Sequence, residues 1–285
     1  MLRAFFKFHW GFWARPHIFT ARQPTMTVPP PSMFVGALAR GLAEVERARG
    51  RWVPEYAREG GRYYVPLAYE LARCVERVYF RIWRGGISAA VDKTRMFQGP
   101  YIRRENLGDP RQWFGVRDVG KAYAPGAEAE FALLADLKCL EESLGEALRR
   151  IDEAGLAAAA YAVTRLGPAE GLVAVTRAEV LRWGECREAS RGVYGQPCPY
   201  FPWGGGELPD PWRVAEFIDW RREEAWDSRR VQLGEGAGGG EGLVAYAVPE
   251  SAWSTLRVEF PSCSTLRSNV KIIECGGVAY VDSGF

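Results

Sequence analysis

Histidine is the scarcest ionisable residue in this sequence of 285 residues, which contains only His9 and His17. The GxxxxGK[ST], GxSxG and HExxH motifs are absent, and so is any paired-carboxylate motif, which leaves hydrolase and nucleotide-binding activities without support. No CxxC pair occurs, so a common zinc site is not expected either. The sequence therefore predicts no catalytic residue, no metal and no cofactor.

Long apolar runs are also missing. No stretch approaches the roughly 18–20 apolar residues of a membrane span, and Arg3, Lys7 and Arg15 interrupt the apolar start, with no small-residue cleavage site behind it. We therefore expect a cytoplasmic protein without a membrane partner. The length and the hydrophobic content of 47% allow one large domain or two ordinary ones.

Six cysteines are spread along the chain: Cys74, Cys139, Cys186, Cys198, Cys263 and Cys275. The last four fall into two pairs with the same spacing, Cys186 with Cys198 and Cys263 with Cys275. Such pairs could form disulfides in the cytosol of a hyperthermophile. Buried free thiols are the alternative, and the sequence favours them.

Acidic residues are absent from the first 43 positions, which carry five cations: Arg3, Lys7, Arg15, Arg22 and Arg40. Residues 77–121 are also basic, with ten cations against four carboxylates, whereas residues 122–285 are acidic. The net charge of +2 hides this division. A local cationic surface indicates an anionic partner.

Hydrophobic periodicity predicts strand, helix, strand, strand, helix, strand along residues 1–182. The predicted elements are Leu2–Trp10, a helix from Ser32 as N-cap to Gly50, Cys74–Trp83, Ala127–Ala135, a helix over Glu141–Asp152, and Gly171–Val180. This βαββαβ order predicts an α+β, ferredoxin-like domain, a plan that in RNA-recognition modules presents its sheet to nucleic acid. Residues 84–126, between the second and third strands, are too many for a hairpin loop and form a predicted insertion.

Residues 183–285 predict a small β-rich C-terminal lobe. Its predicted elements are a helix over Pro211–Arg222, strands over Leu243–Val248 and Thr255–Phe260, and a segment Val270–Tyr280 that folds back at Gly276 and Gly277. Gly234–Gly242 is typical of a flexible link.

Three segments could contact an anionic partner. The first is a loop before the triple proline, where Arg15, Thr20, Arg22 and Gln23 are the strongest candidates, while Pro29, Pro30, Pro31 and Ser32 more plausibly shape the loop. The second is the insertion, whose cations Arg84, Lys93, Arg95, Arg103, Arg104 and Arg111 alternate with aromatic residues, although solvated loop charges explain them equally well. The third is a glycine-rich turn with Arg165 and Gly167, for which a plain connecting turn is the alternative. Phe5, Phe6, Phe8 and Trp10 could stack on bases but are more typical of core residues.

The N-terminal stretch resembles the fifth CRISPR-associated (Cas) protein family of the RAMP superfamily, and most of all its archaeal type I-A branch. The residues that carry the resemblance are Gly11, Phe12, Pro16, Thr25, Pro29, Pro30, Pro31, Ser32 and Gly36. A weaker match is the turn containing Arg165, Leu166, Gly167 and Glu170. The C-terminal lobe contributes almost nothing to the resemblance.

The resemblance implies a non-catalytic subunit of a type I Cascade-like interference complex. It would hold the 5′ handle of the CRISPR RNA (crRNA) and contact the Cascade backbone subunit and the Cascade large subunit. Residues 84–126 would correspond to the family's thumb. Two alternatives stay open: a metal-independent endoribonuclease that cleaves repeat RNA with His9 or His17, and a protein-interaction module whose triple proline occupies an aromatic groove.

Overall fold

A computed structural model describes residues 1–14, 25–53, 57–59, 62–64, 66–97, 108–110, 114–144, 152–167, 171–222, 242–253, 257–266 and 270–282. Over these residues the fold is mixed α/β, with many strands and few helices. None of the helices in these ranges is long and apolar enough to cross a membrane.

The elements are numbered in chain order. Within the described ranges the strands are β1 (Leu2–Phe8), β2 (Gly11–Phe12), β3 (Ala57–Glu59), β4 (Arg62–Tyr64), β5 (Val75–Arg84), β6 (Ser88–Phe97), β7 (Phe114–Tyr123), β8 (Glu128–Ala135), β9 (Val173–Val180), β10 (Arg187–Glu188), β11 (Phe201–Pro202), β12 (Trp212–Ile218), β13 (Leu243–Pro249), β14 (Lys271–Cys275) and β15 (Val278–Asp282). The α-helices are α1 (Pro31–Ala48), α2 (Pro66–Arg73), α3 (Leu137–Leu144), α4 (Glu153–Tyr161) and α5 (Arg191–Tyr194). Short 3-10 helices cover Trp183–Glu185, Glu250–Trp253 and Cys263–Leu266.

The central element is a four-stranded sheet with the strand order β5-β8-β1-β9. Every neighbouring pair in it is antiparallel. Alternate residues of β1 point to opposite faces, and Leu2, Ala4, Phe6 and Phe8 are buried in the cluster that also contains the apolar side of α1. The four strands occur along the chain in the predicted succession, with helices between the first and second and between the third and fourth.

The first strand ends at Phe8, earlier than the predicted Trp10. The chain bends at residues 9 and 10 and continues as β2, which pairs with β7. Gly11 makes this pairing possible, because its φ is 152° and a Cβ there would lie 1.8 Å from the carbonyl oxygen of Ala122.

Helix α1 begins at Pro31 and not after Ser32, so the predicted N-cap is wrong. Pro30 occupies the cap position and Pro31 the first turn, where the missing N–H of proline costs nothing because that group has no helical partner. At the other end Gly50 has a left-handed φ of 78°, as predicted for a glycine that ends a helix.

Of the second predicted helix, Glu141–Asp152, residues 141–144 are helical and belong to α3, whereas its predicted last residue is not the end of a helix. Helix α3 ends at Leu144, and α4 starts at Glu153 with Asp152 as its N-cap, whose carboxylate accepts a hydrogen bond of 2.8 Å from the N–H of Gly155. The aspartate that was taken as a helix end is therefore a helix start. Residues 145–151 lie outside the described ranges.

The predicted insertion contains a long β-hairpin, in which β6 and β7 pair from Ser88 opposite Tyr123 to Phe97 opposite Phe114. Residues 88–93 are all at least partly exposed. A strand that buries neither face shows no apolar alternation, which explains why periodicity did not reveal this hairpin.

The C-terminal residues form two three-stranded sheets, β10-β14-β15 and β11-β13-β12. Strand β13 and the turn at Gly276 and Gly277, whose φ values are 55° and 74°, match the predictions. The predicted helix Pro211–Arg222 is wrong, because Trp212–Ile218 pairs with β13 along its full length. Its aromatic and β-branched residues suit a strand, and pairing overrides their ambiguous spacing. Of the predicted strand Thr255–Phe260, the described part forms only an isolated bridge between Val258 and Ile87.

The face of the central sheet opposite α1 is covered by β14 and β15, and a buried ionic cluster joins the two layers. Glu130 accepts hydrogen bonds from Arg3 Nε at 2.9 Å and from Arg81 Nε at 2.8 Å, and Tyr280 donates its hydroxyl to the same carboxylate. Arg81 also donates to the carbonyl of Ala279 at 3.1 Å. The side chains of Arg3, Arg81 and Glu130 are nearly inaccessible to solvent.

The environment of Glu130 stabilises its charged form. Burial alone would raise the pKa of Glu130, but the guanidinium groups of Arg81 and Arg3 and the hydroxyl of Tyr280 outweigh burial and hold that pKa below its ordinary value. For Tyr280, burial and the adjacent carboxylate raise the pKa well above its ordinary value. The cluster therefore contains a carboxylate, two guanidinium groups and a neutral phenol.

All six cysteines are paired, and both the favoured free thiols and the suggested partners are wrong. The bridges are Cys74 with Cys139, Cys186 with Cys275, and Cys198 with Cys263. The last four cysteines thus pair crosswise instead of with their near neighbours. Equal sequence spacing carried no information, because partner choice depends on which segments the sheets bring together.

We expect Glu130→Gln to lower the free energy of unfolding by about 3–5 kcal/mol, because it removes the buried counter-ion of Arg81 and leaves Arg3 with the partly exposed Glu179 alone. Chemical denaturation at neutral pH measures this change. Because the pKa of Glu130 is lower in the folded state, its contribution is complete above the unfolded value of about 4.3 and is lost as the pH falls below it. The loss of stability in acid should therefore be smaller in the variant.

Glu142→Gln is the matched control for that substitution. Glu142 is exposed and lies 3.9 Å from Lys138, and surface pairs of this kind contribute little. Equal stability of the two variants would contradict the role assigned to Glu130.

The disulfides predict that alkylation of the unfolded protein without reductant labels none of the six cysteines, and that alkylation after reduction labels all six. Mass spectrometry counts the labels. Replacing Cys198 and Cys263 together by alanine should cost about 2–5 kcal/mol of stability, since the bridge restricts the unfolded chain. Labelling of the unreduced protein would contradict the assignment.

Candidate nucleic-acid interface

The structure describes only some of the predicted contact residues. Arg84, Lys93, Arg165 and Gly167 lie within the described ranges, and Arg95 lies on β6 with its side chain outside them. The remaining predicted residues fall outside the described ranges: Arg15, Thr20, Arg22, Gln23, Arg103, Arg104 and Arg111.

The loop of residues 15–24 has a defined base, although the loop itself lies outside the described ranges. The N–H of Met26 donates to the carbonyl of Ala14 at 2.8 Å, and the hydroxyl of Thr25 donates to the same oxygen at 3.3 Å. The chain therefore leaves and returns at one point. Arg15 and Arg22 belong to the segment between these two ends.

The proline segment is held from the C-terminal half of the chain. Tyr200 donates its buried hydroxyl to the carbonyl of Pro29 at 2.9 Å, and Thr27 donates to the carbonyl of Ala252. Burial raises the pKa of Tyr200 well above its ordinary value, so this donor stays protonated. These contacts agree with a shaping role for the prolines.

The glycine-rich turn lies against the base of the loop. Gly167 has a φ of 75°, and a Cβ there would lie 3.0 Å from Cε of Met33 and 3.2 Å from the carbonyl oxygen of Trp13. The turn is closed by a hydrogen bond of 2.8 Å from the N–H of Leu166 to the carbonyl of Gly171. The structure thus brings together two segments that are 150 residues apart and that the sequence singled out separately.

Arg165 connects this turn to the end of the first strand. It forms a β-bridge with Leu172, whose carbonyl accepts a hydrogen bond of 3.0 Å from the N–H of His9. Arg84 is the last residue of β5, and Lys93 lies on β6; both side chains are exposed.

A groove next to Trp10 was not predicted. It has a volume of about 370 Å³ and is lined by Trp10, Gly11, Phe12, Trp13, Lys121, Ala122, Tyr123 and Leu172. The side chain of Trp10 is 66% exposed, whereas Phe6 and Phe8 are buried as core residues. In the sequence, only Gly11 and Phe12 indicated this groove, because Gly11 allows β2 to pair closely with β7.

The predicted sheet surface for nucleic acid is largely covered. Arg3, Arg77, Tyr79 and Arg81 are buried, and Tyr79 donates its hydroxyl to the carbonyl of Val281 at 2.9 Å. Lys7 lies near the end of β1 and His9 lies just after it, and both side chains are exposed. A ligand can therefore reach this sheet at the end where β1 leaves it, but not over its centre.

The described residues contain no cluster of three or more histidine, cysteine or acidic side chains that could hold a metal ion. His9 is exposed at the end of β1, and His17 lies in the loop outside the described ranges. The described part of the interface contains aromatic rings, a glycine turn and cations, which suit binding more than acid–base chemistry.

The comparisons with known proteins point to one family. CRISPR system aCascade subunit Cas5 1 of Saccharolobus solfataricus is 27% identical over 191 residues, which cover 67% of this chain and 68% of the relative. No family model matches the chain.

Two solved structures are similar. One is a CRISPR protein from Archaeoglobus fulgidus, with 16% identity, coverage of 98% of this chain and 97% of that chain, and a TM-score of 0.49. The other is a CRISPR RNA-guided surveillance complex, with 12% identity, coverage of 90% of both chains and a TM-score of 0.43. The curated relative bears the family name that the N-terminal residues indicate, so the predicted resemblance is confirmed: this chain resembles the fifth CRISPR-associated protein family, in its archaeal Cascade branch.

Proposed function

We propose that the chain is a non-catalytic, RNA-binding subunit of a type I Cascade-like complex that holds the 5′ handle of crRNA. The observation that carries the proposal is the contact between Ala14 and Thr25, which flank the cationic segment 15–24, together with the position of Trp13 beside the Gly167 turn. The segment that contains this loop has no carboxylate before Glu44. Its cations would bind the phosphates, and the turn would let the RNA backbone approach closely.

We further infer that the central sheet is a ferredoxin-like domain of residues 1–182. The order β5-β8-β1-β9, with antiparallel pairing throughout and a helix in each crossover, supports this interpretation. In it the β6–β7 hairpin occupies the thumb-like insertion 84–126, and residues 183–285 form the C-terminal lobe. Arg84, Lys93, Arg95, Arg103, Arg104 and Arg111 would line the RNA from the hairpin side.

The Cascade backbone and large subunits are the proposed protein partners. The name of the curated relative, an aCascade subunit, supports assembly with such subunits. The exposed residues 88–93 of the β6–β7 hairpin agree with a role between RNA and a neighbouring subunit.

We predict that the protein binds the repeat-derived 5′ handle RNA more tightly than a scrambled RNA at the same salt concentration. Fluorescence anisotropy measures both affinities. Replacing Arg15 and Arg22 by alanine should weaken binding and reduce the slope of log affinity against log salt by about 0.7 for each phosphate contact removed. Equal affinity for both RNAs would overturn the assignment to the handle.

Arg73→Ala, which removes one cation, is the matched control for the single variant Arg15→Ala in the loop. Arg73 is exposed and lies just before β5, and Arg84 is the last residue of that strand. The ten residues of β5 therefore separate the two side chains by about 33 Å. The control should keep the affinity and the salt slope of the parent protein. A drop equal to that of the loop variant would show that binding follows total charge and not this loop.

Incubation with precursor repeat RNA in EDTA tests the non-catalytic assignment. We expect intact RNA, because the sequence offers only His9 and His17 as histidines for acid–base catalysis. Cleavage that disappears in a variant with His9→Ala and His17→Ala would replace the binding function by the endoribonuclease alternative.

A further inference from the structure

Trp10 follows the core strand β1, but its side chain is exposed to solvent. It is 66% exposed, while Phe8, two positions earlier, is buried. The bend after β1 turns the chain into β2, so that residues 10–13 form one side of the groove and Lys121, Ala122 and Tyr123 of β7 contribute to its lining from the hairpin. A tryptophan that is exposed beside a groove is available to an occupant.

The dimensions and lining of this groove suit a flat aromatic ligand. Its volume of about 370 Å³ lies at the lower end of the range of small-molecule sites, and four of its eight lining residues are aromatic. Rings of this kind stack on nucleic-acid bases without needing a particular sequence.

The charges around the groove favour a ligand with phosphates. The two strands of the hairpin carry four cations, Lys93, Arg95, Arg117 and Lys121, against two carboxylates. One of these carboxylates, Asp92, accepts a hydrogen bond of 2.7 Å from the hydroxyl of Tyr123 and lies 3.4 Å from the ammonium of Lys121. The hydroxyl of Tyr123 contributes most to holding the pKa of Asp92 below its ordinary value.

The groove is also adjacent in sequence to the cationic segment 15–24. Only Ala14 separates Trp13, which lines the groove, from Arg15, and the carbonyl of Trp13 lies against the Gly167 turn. An RNA strand matches this part of the chain through its phosphates, because the first 43 residues carry no carboxylate.

We propose that the groove beside Trp10 binds one unpaired nucleobase of the RNA, which stacks on the indole of Trp10 while its phosphates face the cations of the β6–β7 hairpin. This inference rests on the proposed RNA-binding function and adds to it a specific base pocket. Trp10 then contributes affinity through ring contact and not through charge.

Trp10→Ala tests the pocket. We expect it to weaken binding of the handle RNA by about 5- to 150-fold, the range measured for the loss of one stacked base, with an unchanged salt slope because no charge is removed. Trp10→Phe should restore most of the affinity. In a second measurement, 2-aminopurine replaces each base of the RNA in turn, and its fluorescence should be quenched at one position by the parent protein but not by Trp10→Ala.

Trp52→Ala is the matched control, since Trp52 is 77% exposed. It follows the C-terminal end of α1, a helix of 18 residues and about 27 Å, whereas the Gly167 turn contacts Met33 at the N-terminal end. This variant should bind RNA like the parent protein.

The outcomes separate the pocket from the proposed function. If the parent protein binds the handle RNA but Trp10→Ala binds it equally well, the pocket is wrong and the function stands. If affinity falls without position-specific quenching in the parent, Trp10 has a structural role and the pocket is wrong. Unchanged RNA binding with loss of a Cascade subunit would identify a protein occupant instead. If the parent protein binds no RNA, both the pocket and the proposed function are wrong.

Discussion

The buried carboxylate of Glu130 is the interaction on which the two layers of the molecule depend. It lies on β8 and accepts hydrogen bonds from Arg3 on β1, Arg81 on β5 and Tyr280 on β15. Each guanidinium group would be costly to bury alone, so the charges commit all four strands to one arrangement. The apolar side chains around the cluster pack without a specific partner, whereas the carboxylate of Glu130 requires the strands that carry its partners to lie next to it.

This arrangement decides where the proposed RNA can lie. Because β14 and β15 cover the centre of the sheet, the surface that RNA-recognition modules use is occupied by the chain itself. Binding is left to the end of the sheet, where the loop base at Ala14, the Gly167 turn and the hairpin with β2 meet. Tyr200 and Ala252 of the C-terminal half hold this end through Pro29 and Thr27, so the two halves of the chain together shape the proposed site.

The sequence predicted what local chemistry determines. Alternation revealed the strands of the central sheet, and paired glycines revealed the turn at Gly276. Prediction from the sequence failed where contacts between distant segments determine the structure. The strand Trp212–Ile218 forms by pairing with β13, and Cys186 lies next to Cys275 only in the folded protein. For the interface, composition revealed the cationic loop and the glycine turn, but the groove beside Trp10 needs a hairpin that shows no apolar period.

The position of the cluster in the sequence has a consequence for synthesis of the protein. Arg3 precedes Glu130 by 127 positions, and Tyr280 follows Glu130 by 150 positions. The face of the central sheet that contains these charges cannot close until β15 has left the ribosome. Contacts between positions this far apart in sequence are typical of slow folding. A nascent chain therefore leaves this face of the sheet open until β15 is made, and β15 completes the cluster.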